Sequence, residues 1–203
     1  MKKVLIIESS PNGENSISRK VSEGLISKIK AVSSSQVEIK TRDLILSPVP
    51  HLDGLSIEAF FTPLENRSPE LKQAIALSET LTDELLWADE IVLSVPMWNF
   101  GVPSVVKAWI DHVSRAGRTF SFGENGLVGL AGGRKVHLIV ASGSIFSQGP
   151  FATFDQLVPF IKTFFAFIGI TDVNVIRAEG VNDPKNKDLV LTKALEQIEN
   201  SIR

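Results

Sequence analysis

The feature that most constrains the fold is an alternation running the length of the chain. Short, wholly apolar runs are separated by segments whose apolar residues recur every three or four positions. Val4-Leu5-Ile6-Ile7 is the first run, and a strand without a polar face suits a parallel sheet covered on both sides. Ile17, Val21, Leu25 and Ile29 then form one helical stripe. Val37, Ile39 and Leu44 read as a second strand, and Ile91-Val92-Leu93 as a third that stops at Pro96. Val136 to Val140 and Val173 to Ile176 read as the fourth and fifth. Helical stripes lie between them: Leu71, Ile75, Leu81, Leu85 and Leu86; Val105, Val106, Trp109, Ile110 and Val113; and Phe154, Leu157, Val158, Ile161, Phe164, Phe165 and Ile168. Leu189, Leu195 and Ile198 close the chain as a last helix, whereas glycine-rich Phe120 to Gly133 reads as loop.

Strands alternating with helices predict an α/β fold with helices on both faces of a parallel sheet. With right-handed crossovers, five strands favour the flavodoxin-like, doubly wound order 2-1-3-4-5 over the six-stranded dinucleotide fold. A chain of 203 residues buries about 70% of its unfolded surface as one domain, so residues 1–203 are expected to share a single core. One stretch departs from the pattern. Residues 45–70 carry Pro48, Pro50, Pro63 and Pro69 without a sustained period, and they are too long for an ordinary connection. A lid, a partner-contacting excursion or a short independent helix would each account for them.

Composition excludes several classes. The formal net charge is −2, which leaves no electrostatic footprint for nucleic acid or an anionic membrane. There is no cysteine, which removes disulfides, thiolate catalysis and cysteine metal sites and fits a reducing compartment. After Met1-Lys2-Lys3 the apolar run is too short for a signal peptide, and the apolar stretch 157–170 contains Pro159 and Lys162, so a cytoplasmic protein without a membrane span is expected. His51, His112 and His137 are far apart and show no metal-ligand spacing, so no metal is expected. No G-x-S-x-G elbow is present.

In open α/β sheets ligands bind beyond the carboxyl ends of the strands, where strand order reverses. Here those positions are the loops after strands one, three and four. The first loop, Glu8 to Ser18, has neither G-x-G-x-x-G nor a P-loop, but it offers Ser9, Ser10, Ser16 and Ser18 beside Asn12 and Asn15. Such hydroxyls at a helix N-terminus suit a phosphate monoester, although Ser16 also serves as an ordinary helix cap. The second loop, Pro96-Met97-Trp98-Asn99-Phe100-Gly101-Val102-Pro103, crowds a thioether, two aromatics and an amide onto one turn, a mix suited to a flat heteroaromatic ring. The third, Ala141-Ser142-Gly143-Ser144-Ile145-Phe146, has small residues whose N–H groups can approach a ligand closely.

With these residues in view, the chain resembles the FMN-dependent NADH-azoreductases among the flavodoxin-like quinone reductases. The matching text is Ser9-Ser10 with Ser16-Ile17-Ser18, Pro96-Met97-Trp98-Asn99-Phe100, and Asp111 to Phe120 with its Arg115-Ala116-Gly117-Arg118-Thr119-Phe120 motif. It continues through Gly149-Pro150 and Phe167 to Asp172. The resemblance implies one FMN per subunit, its phosphate on Ser10 and Ser16, Ile17 and Ser18, and its ring on Met97, Trp98, Asn99 and Phe100. Ser142, Gly143 and Ser144 would meet the pyrimidine end, where backbone N–H groups stabilise charge. It also implies a homodimer with shared active sites, and ping-pong chemistry in which NADH, with NADPH as a second donor, reduces the flavin and a quinone or azo compound reoxidises it. The flavin carries the hydride, so no side chain is assigned as catalytic. Phe120, Phe122, Phe164 and Phe165 are candidate walls of the substrate site, with core packing as the ordinary alternative for each. Relatives carry Tyr, a glycine pair and a histidine where this chain has Trp98, Gly143-Ser144 and Phe146. A flavodoxin-type electron carrier and a flavin or chromate reductase on the same fold are the rival functions.

Overall fold

The computed structural model describes residues 1–124, 126–183 and 187–202. Five parallel strands form the sheet: β1 (Lys2–Glu8), β2 (Val37–Asp43), β3 (Glu90–Pro96), β6 (Lys135–Ser142) and β7 (Asp172–Glu179). Their order is β2-β1-β3-β6-β7, which is the expected 2-1-3-4-5 once a separate two-stranded hairpin is set aside. That hairpin pairs β4 (Phe120–Gly123) with β5 (Gly126–Gly129).

Alternating side chains of the strands serve two cores. Leu5 and Ile7 of β1 and Ile91, Leu93 and Val95 of β3 pack against α3 (Pro69–Trp87), α4 (Ser104–Val113) and α5 (Leu157–Phe167). Val4, Val92, Ile139 and Ile176 face α1 (Ile17–Val32) and α6 (Lys187–Ser201) on the other side. The apolar stripes expected for α1, α3 and α4 are the buried faces of those helices. In α6 Ile198 of the expected stripe is buried and Leu195 packs partly buried on the same core, but Val190 and Ala194 complete the buried face in place of Leu189. Leu189 is exposed, because the face is set one residue along from it.

Two further expectations are corrected. Phe120 to Gly133 is not all loop. Three of the four end residues of its two four-residue strands are glycine, so propensity alone does not reveal them, and tertiary contacts hold them. Leu130 N–H donates to the Thr119 carbonyl and Ala131 N–H to that of Ile168, and a Cβ on Gly129 would meet the Gly169 nitrogen at 2.2 Å. Phe154 lies in a 3-10 turn before α5, half-exposed, rather than on its buried face. The helix starts where Asp155 Oδ1 accepts the Val158 N–H at 3.0 Å, and Pro159 sits in the first turn, where a missing N–H costs nothing.

The proline-rich excursion holds a short helix, α2 (Gly54–Phe61), capped by Asp53, whose carboxylate accepts the Ser56 N–H at 2.8 Å. The Arg115-to-Phe120 motif is the clasp that holds it. Arg115 is buried, donates to Ser78 Oγ at 2.7 Å and to Glu79 Oε1 at 2.8 Å, and lies 4.5 Å over the Phe60 ring of α2. His112 Nε2 lies 3.0 Å from the Pro50 carbonyl, and Thr119 Oγ1 donates to Val113 O at 2.7 Å. These residues brace the scaffold and leave the carboxyl edge of the sheet open. Among the described residues, no helix is long and apolar enough to cross a membrane.

Candidate functional site

β1, β3 and β6 end side by side at Glu8, Pro96 and Ser142, so their loops converge on one edge of the sheet. A cleft of about 300 Å³ opens there, lined by Ser10, Ser16, Ile17 and Ser18 from the first loop, Pro96, Met97 and Trp98 from the second, and Ser142 and Gly143 from the third. Asn12, Asn15, Ala141, Val181 and Asn182 complete it.

One end of the cleft is a hydroxyl cluster at a helix N-terminus. Ser16 caps α1 with extended backbone (φ −72°, ψ 121°) and accepts the Arg19 N–H at 3.3 Å. Its hydroxyl lies 3.1 Å from that of Ser18. Arg19 ties this end together: Nη2 and Nε donate to the Ser10 carbonyl at 2.8 and 3.2 Å, and Nη1 donates to Asp43 Oδ2 at 2.7 Å. Burial by itself would raise the Asp43 carboxyl, but the Arg19 hydrogen bond and the Ile45 and Leu46 N–H groups hold it below the usual range. Ser9 turns the other way, donating to the Ser94 carbonyl at 2.7 Å inside the sheet. The unpaired N–H groups and positive end of α1, with three hydroxyls beside them, can hold a phosphate dianion without a lysine.

The other end is aromatic. Met97 N–H extends the sheet by donating to Ala141 O at 2.8 Å, and Trp98 and Gly101 then exchange two backbone hydrogen bonds at 3.2 and 3.0 Å. Between them Asn99 (φ 47°) and Phe100 (φ 71°) are both left-handed, the backbone pattern of a type I′ turn. Trp98 is 50% exposed and Phe100 49%, so neither belongs to the core. Asn99 and Phe100 lie outside the cleft lining. Phe100 instead joins a row of rings, 6.1 Å from Phe146 and 5.5 Å from Phe154, with Phe151 6.2 Å from each of those two. Phe146, where a histidine is expected, therefore extends an apolar shelf and supplies no proton.

The chain was compared with known proteins. The flavodoxin-like fold family matches residues 2–202. The chain is 46% identical over 200 residues to "FMN-dependent NADH:quinone oxidoreductase 2" of Hahella chejuensis, covering 98% of each chain. It is 48% identical over 181 residues to the "FMN-dependent NADH:quinone oxidoreductase" of Herminiimonas arsenicoxydans, covering 89% of this chain and 88% of that one. The chain belongs to the flavodoxin-like family that contains these quinone oxidoreductases. Solved structures agree: an azoreductase of Bacillus anthracis superposes with a TM-score of 0.90 at 28% identity over 98% of both chains. An FMN-dependent NADH-azoreductase of the same organism, in complex with FMN, gives 0.88 at 28% identity, covering 100% of this chain and 98% of that one.

The remaining sequence candidates fall in three places in this family member. Ser144 lies outside the cleft and lines a second cavity of about 740 Å³ with Ile145, Gly149, Pro150 and Phe151. The two cavities share Gly143 and Asn182 as lining residues and so adjoin, and together they make up the trench along this edge of the sheet. Phe120 and Phe122 lie on the β4–β5 hairpin with their rings 5.8 Å apart; Phe122 is 76% exposed, Phe120 packs on Phe167 of α5 at 4.6 Å, and neither lines the cleft. Phe164 and Phe165 are core residues of α5, with Phe164 edge-on to Trp109 at 6.1 Å, so in this subunit they wall no open site. Packing decides those two positions.

Val181 and Asn182 are cleft residues that sequence reasoning missed, and Asn182 is the polar one. It follows β7, beyond the loops nearest the switch point, yet Gly180 and Val181 both donate to Ser142 O and Asn182 N–H donates to Gly143 O at 3.1 Å. Its amide lies so close to Gly143 that a Cβ there would come within 2.3 Å of Nδ2. A glycine on the third loop and the polar pair Asn182-Asp183 just past the fifth strand were the available signal.

Proposed function

We propose that the trench holds FMN and that the protein reduces quinones and azo compounds with NADH, NADPH being a second possible donor. The observation that carries this reading is the convergence of a serine-lined helix N-terminus and an aromatic turn on one cleft at the switch point. The donor set fits the cofactor: three hydroxyls and the start of α1 at the phosphate end, apolar and aromatic side chains at the ring end. Ser10, Ser16 and Ser18 would hold the phosphate. Ile17 would pack beside it, and Met97, Trp98, Asn99 and Phe100 would support the ring. Ser142, Gly143 and Ser144, braced by Asn182, would hold its pyrimidine edge. When bound, FMN supplies the two-electron chemistry between donor and oxidant.

The large apolar side chains on the outer surface support a homodimer. Leu46, Leu55, Phe61 and Leu64 on the excursion and Phe122 on the hairpin are all exposed in one subunit, apolar side chains that a partner subunit would cover. In such a dimer Phe120 and Phe122 would wall the partner's site. A cytoplasmic location is consistent with the lack of cysteine, and the net charge of −2 disfavours an acidic electron carrier.

The purified protein should be yellow or take up FMN, bleach under anaerobic NADH, and recover its colour when a quinone is added. Protein that binds no flavin overturns the reading. Yellow protein that NADH does not bleach would instead be an electron carrier.

A further inference from the structure

An ion-pair network braces the aromatic end of the trench. Arg177 of β7 donates through Nη1 to Glu179 Oε1 at 2.9 Å and through Nη2 to Asp155 Oδ2 at 2.7 Å. The three side chains are well shielded, with 20% of Arg177, 9% of Glu179 and 7% of Asp155 exposed. Without the guanidinium, two carboxylates would be left buried with no counter-charge from it.

Each carboxylate also holds a different loop. Glu179 Oε1 accepts the Phe146 N–H at 2.9 Å, and Oε2 accepts the Ser147 hydroxyl. Asp155 Oδ1 caps α5, and the next residue, Gln156, donates its N–H to Phe100 O at 3.0 Å. One planar fork therefore ties the third loop to the start of α5 and, through it, to the aromatic turn. The same segments carry the row of rings: Phe100 on the turn, Phe146 on the third loop, and Phe151 and Phe154 just before α5. The rings close a circuit, each centroid 5.5 to 6.2 Å from the next. Phe100, Phe151 and Phe154 are nearly half-exposed, so core packing does not fix them. Phe151 also lines the cavity of about 740 Å³, which puts the circuit at its edge.

We propose that Arg177 is a positioning residue that sets these four rings as one apolar wall of the oxidant's site, and so favours oxidants with an extended apolar ring system over single-ring ones. A second fused ring adds apolar surface that such a wall can bury. The bidentate fork is what the role requires: a guanidinium bonds two carboxylates at fixed angles, whereas an ammonium is a point charge on a flexible stem.

This inference rests on the trench being the FMN site. The test is steady-state turnover of the FMN-loaded full chain with NADH and either a one-ring benzoquinone or a two-ring naphthoquinone, both uncharged. In Arg177→Lys the KM for the naphthoquinone should rise about fivefold, roughly the worth of one ring contact, with kcat and the KM for the benzoquinone within about twofold of native. The lysine keeps a positive charge between the carboxylates, so a purely structural role for Arg177 predicts no such split. Glu179→Gln keeps an acceptor for the Phe146 N–H and removes the ion pair. It should show the same split, and it decides the matter if Arg177→Lys does not fold. Unchanged KM values, or equal changes for the two quinones, in variants that bind FMN and turn over would overturn the role of Arg177 and leave the flavin site intact. A native protein that binds no FMN, or reduces neither quinone, overturns both.

Discussion

Phe100 concentrates the backbone strain of the candidate site in one residue. A left-handed φ of 71° is an outlier for a bulky aromatic, and type I′ turns ordinarily place Gly at this position. Such strain costs of order 1–3 kcal/mol and persists only where the surroundings enforce it. Here the Trp98–Gly101 backbone pair and the Gln156 N–H on Phe100 O enforce it. The expected outcome for Phe100→Gly is a small net change, within about 1 kcal/mol in urea denaturation, because relief of strain offsets the lost ring contacts. FMN affinity or flavin reduction should fall clearly. A large loss of stability with unchanged flavin chemistry would show that Phe100 is a packing residue. Its neighbour Asn99 tolerates the left-handed region better, so Asn99→Ala should weaken flavin binding or reduction while the protein still folds.

At the scale of elements, the alternation of apolar runs and stripes was sufficient for the five sheet strands and the main helices, because burial on two faces writes itself into periodicity. The hairpin escaped because its strands are short, glycine-flanked and held by contacts distant in sequence. Asn182 escaped for the same reason: its place beside Gly143 follows from how the end of β7 folds back. The hydroxyl loop was legible from residue types alone, whereas Phe164 and Phe165 needed the packing to be excluded. Gly129 tests the account of the hairpin. Its Cα lies against the Gly169 backbone, and both partners are main chain, so an added methyl has nothing flexible to displace. Gly129→Ala should cost about 1–3 kcal/mol, as overpacking does, and increase amide exchange across 120–129 before the rest of the sheet. Uniform exchange throughout, or no loss of stability, would contradict that packing.

For the whole molecule, the two ends of the sheet are built to different electrostatic rules. At the amino edge, Glu90 on β3 accepts hydrogen bonds from His137 Nε2 on β6 at 3.1 Å and from Lys2 Nζ on β1 at 2.7 Å, stitching three strands. The His137 hydrogen bond is the main cause that holds its carboxyl at about 2, against an ordinary 4.5, with burial opposing and Lys2 assisting. At the carboxyl edge Glu8 is shifted upward by burial. The signs therefore differ. Glu90 contributes stability that is complete above its unfolded value and is lost as pH falls from about 4.5 toward 2. Glu8 favours the fold below its unfolded value, and that contribution fades as pH rises through its raised value. Glu90→Gln should cost roughly 2–3 kcal/mol near neutrality, since the side chain is only 14% exposed and one pKa unit corresponds to about 1.4 kcal/mol. Urea denaturation of both proteins from about pH 7 to about pH 3 should show the gap narrowing below about pH 4.5, as the unfolded chain takes up the Glu90 proton while the native protein still holds the carboxylate. A gap that stays constant with pH would mean that the Gln variant fails through packing, and that the charge of Glu90 does not hold the amino edge together.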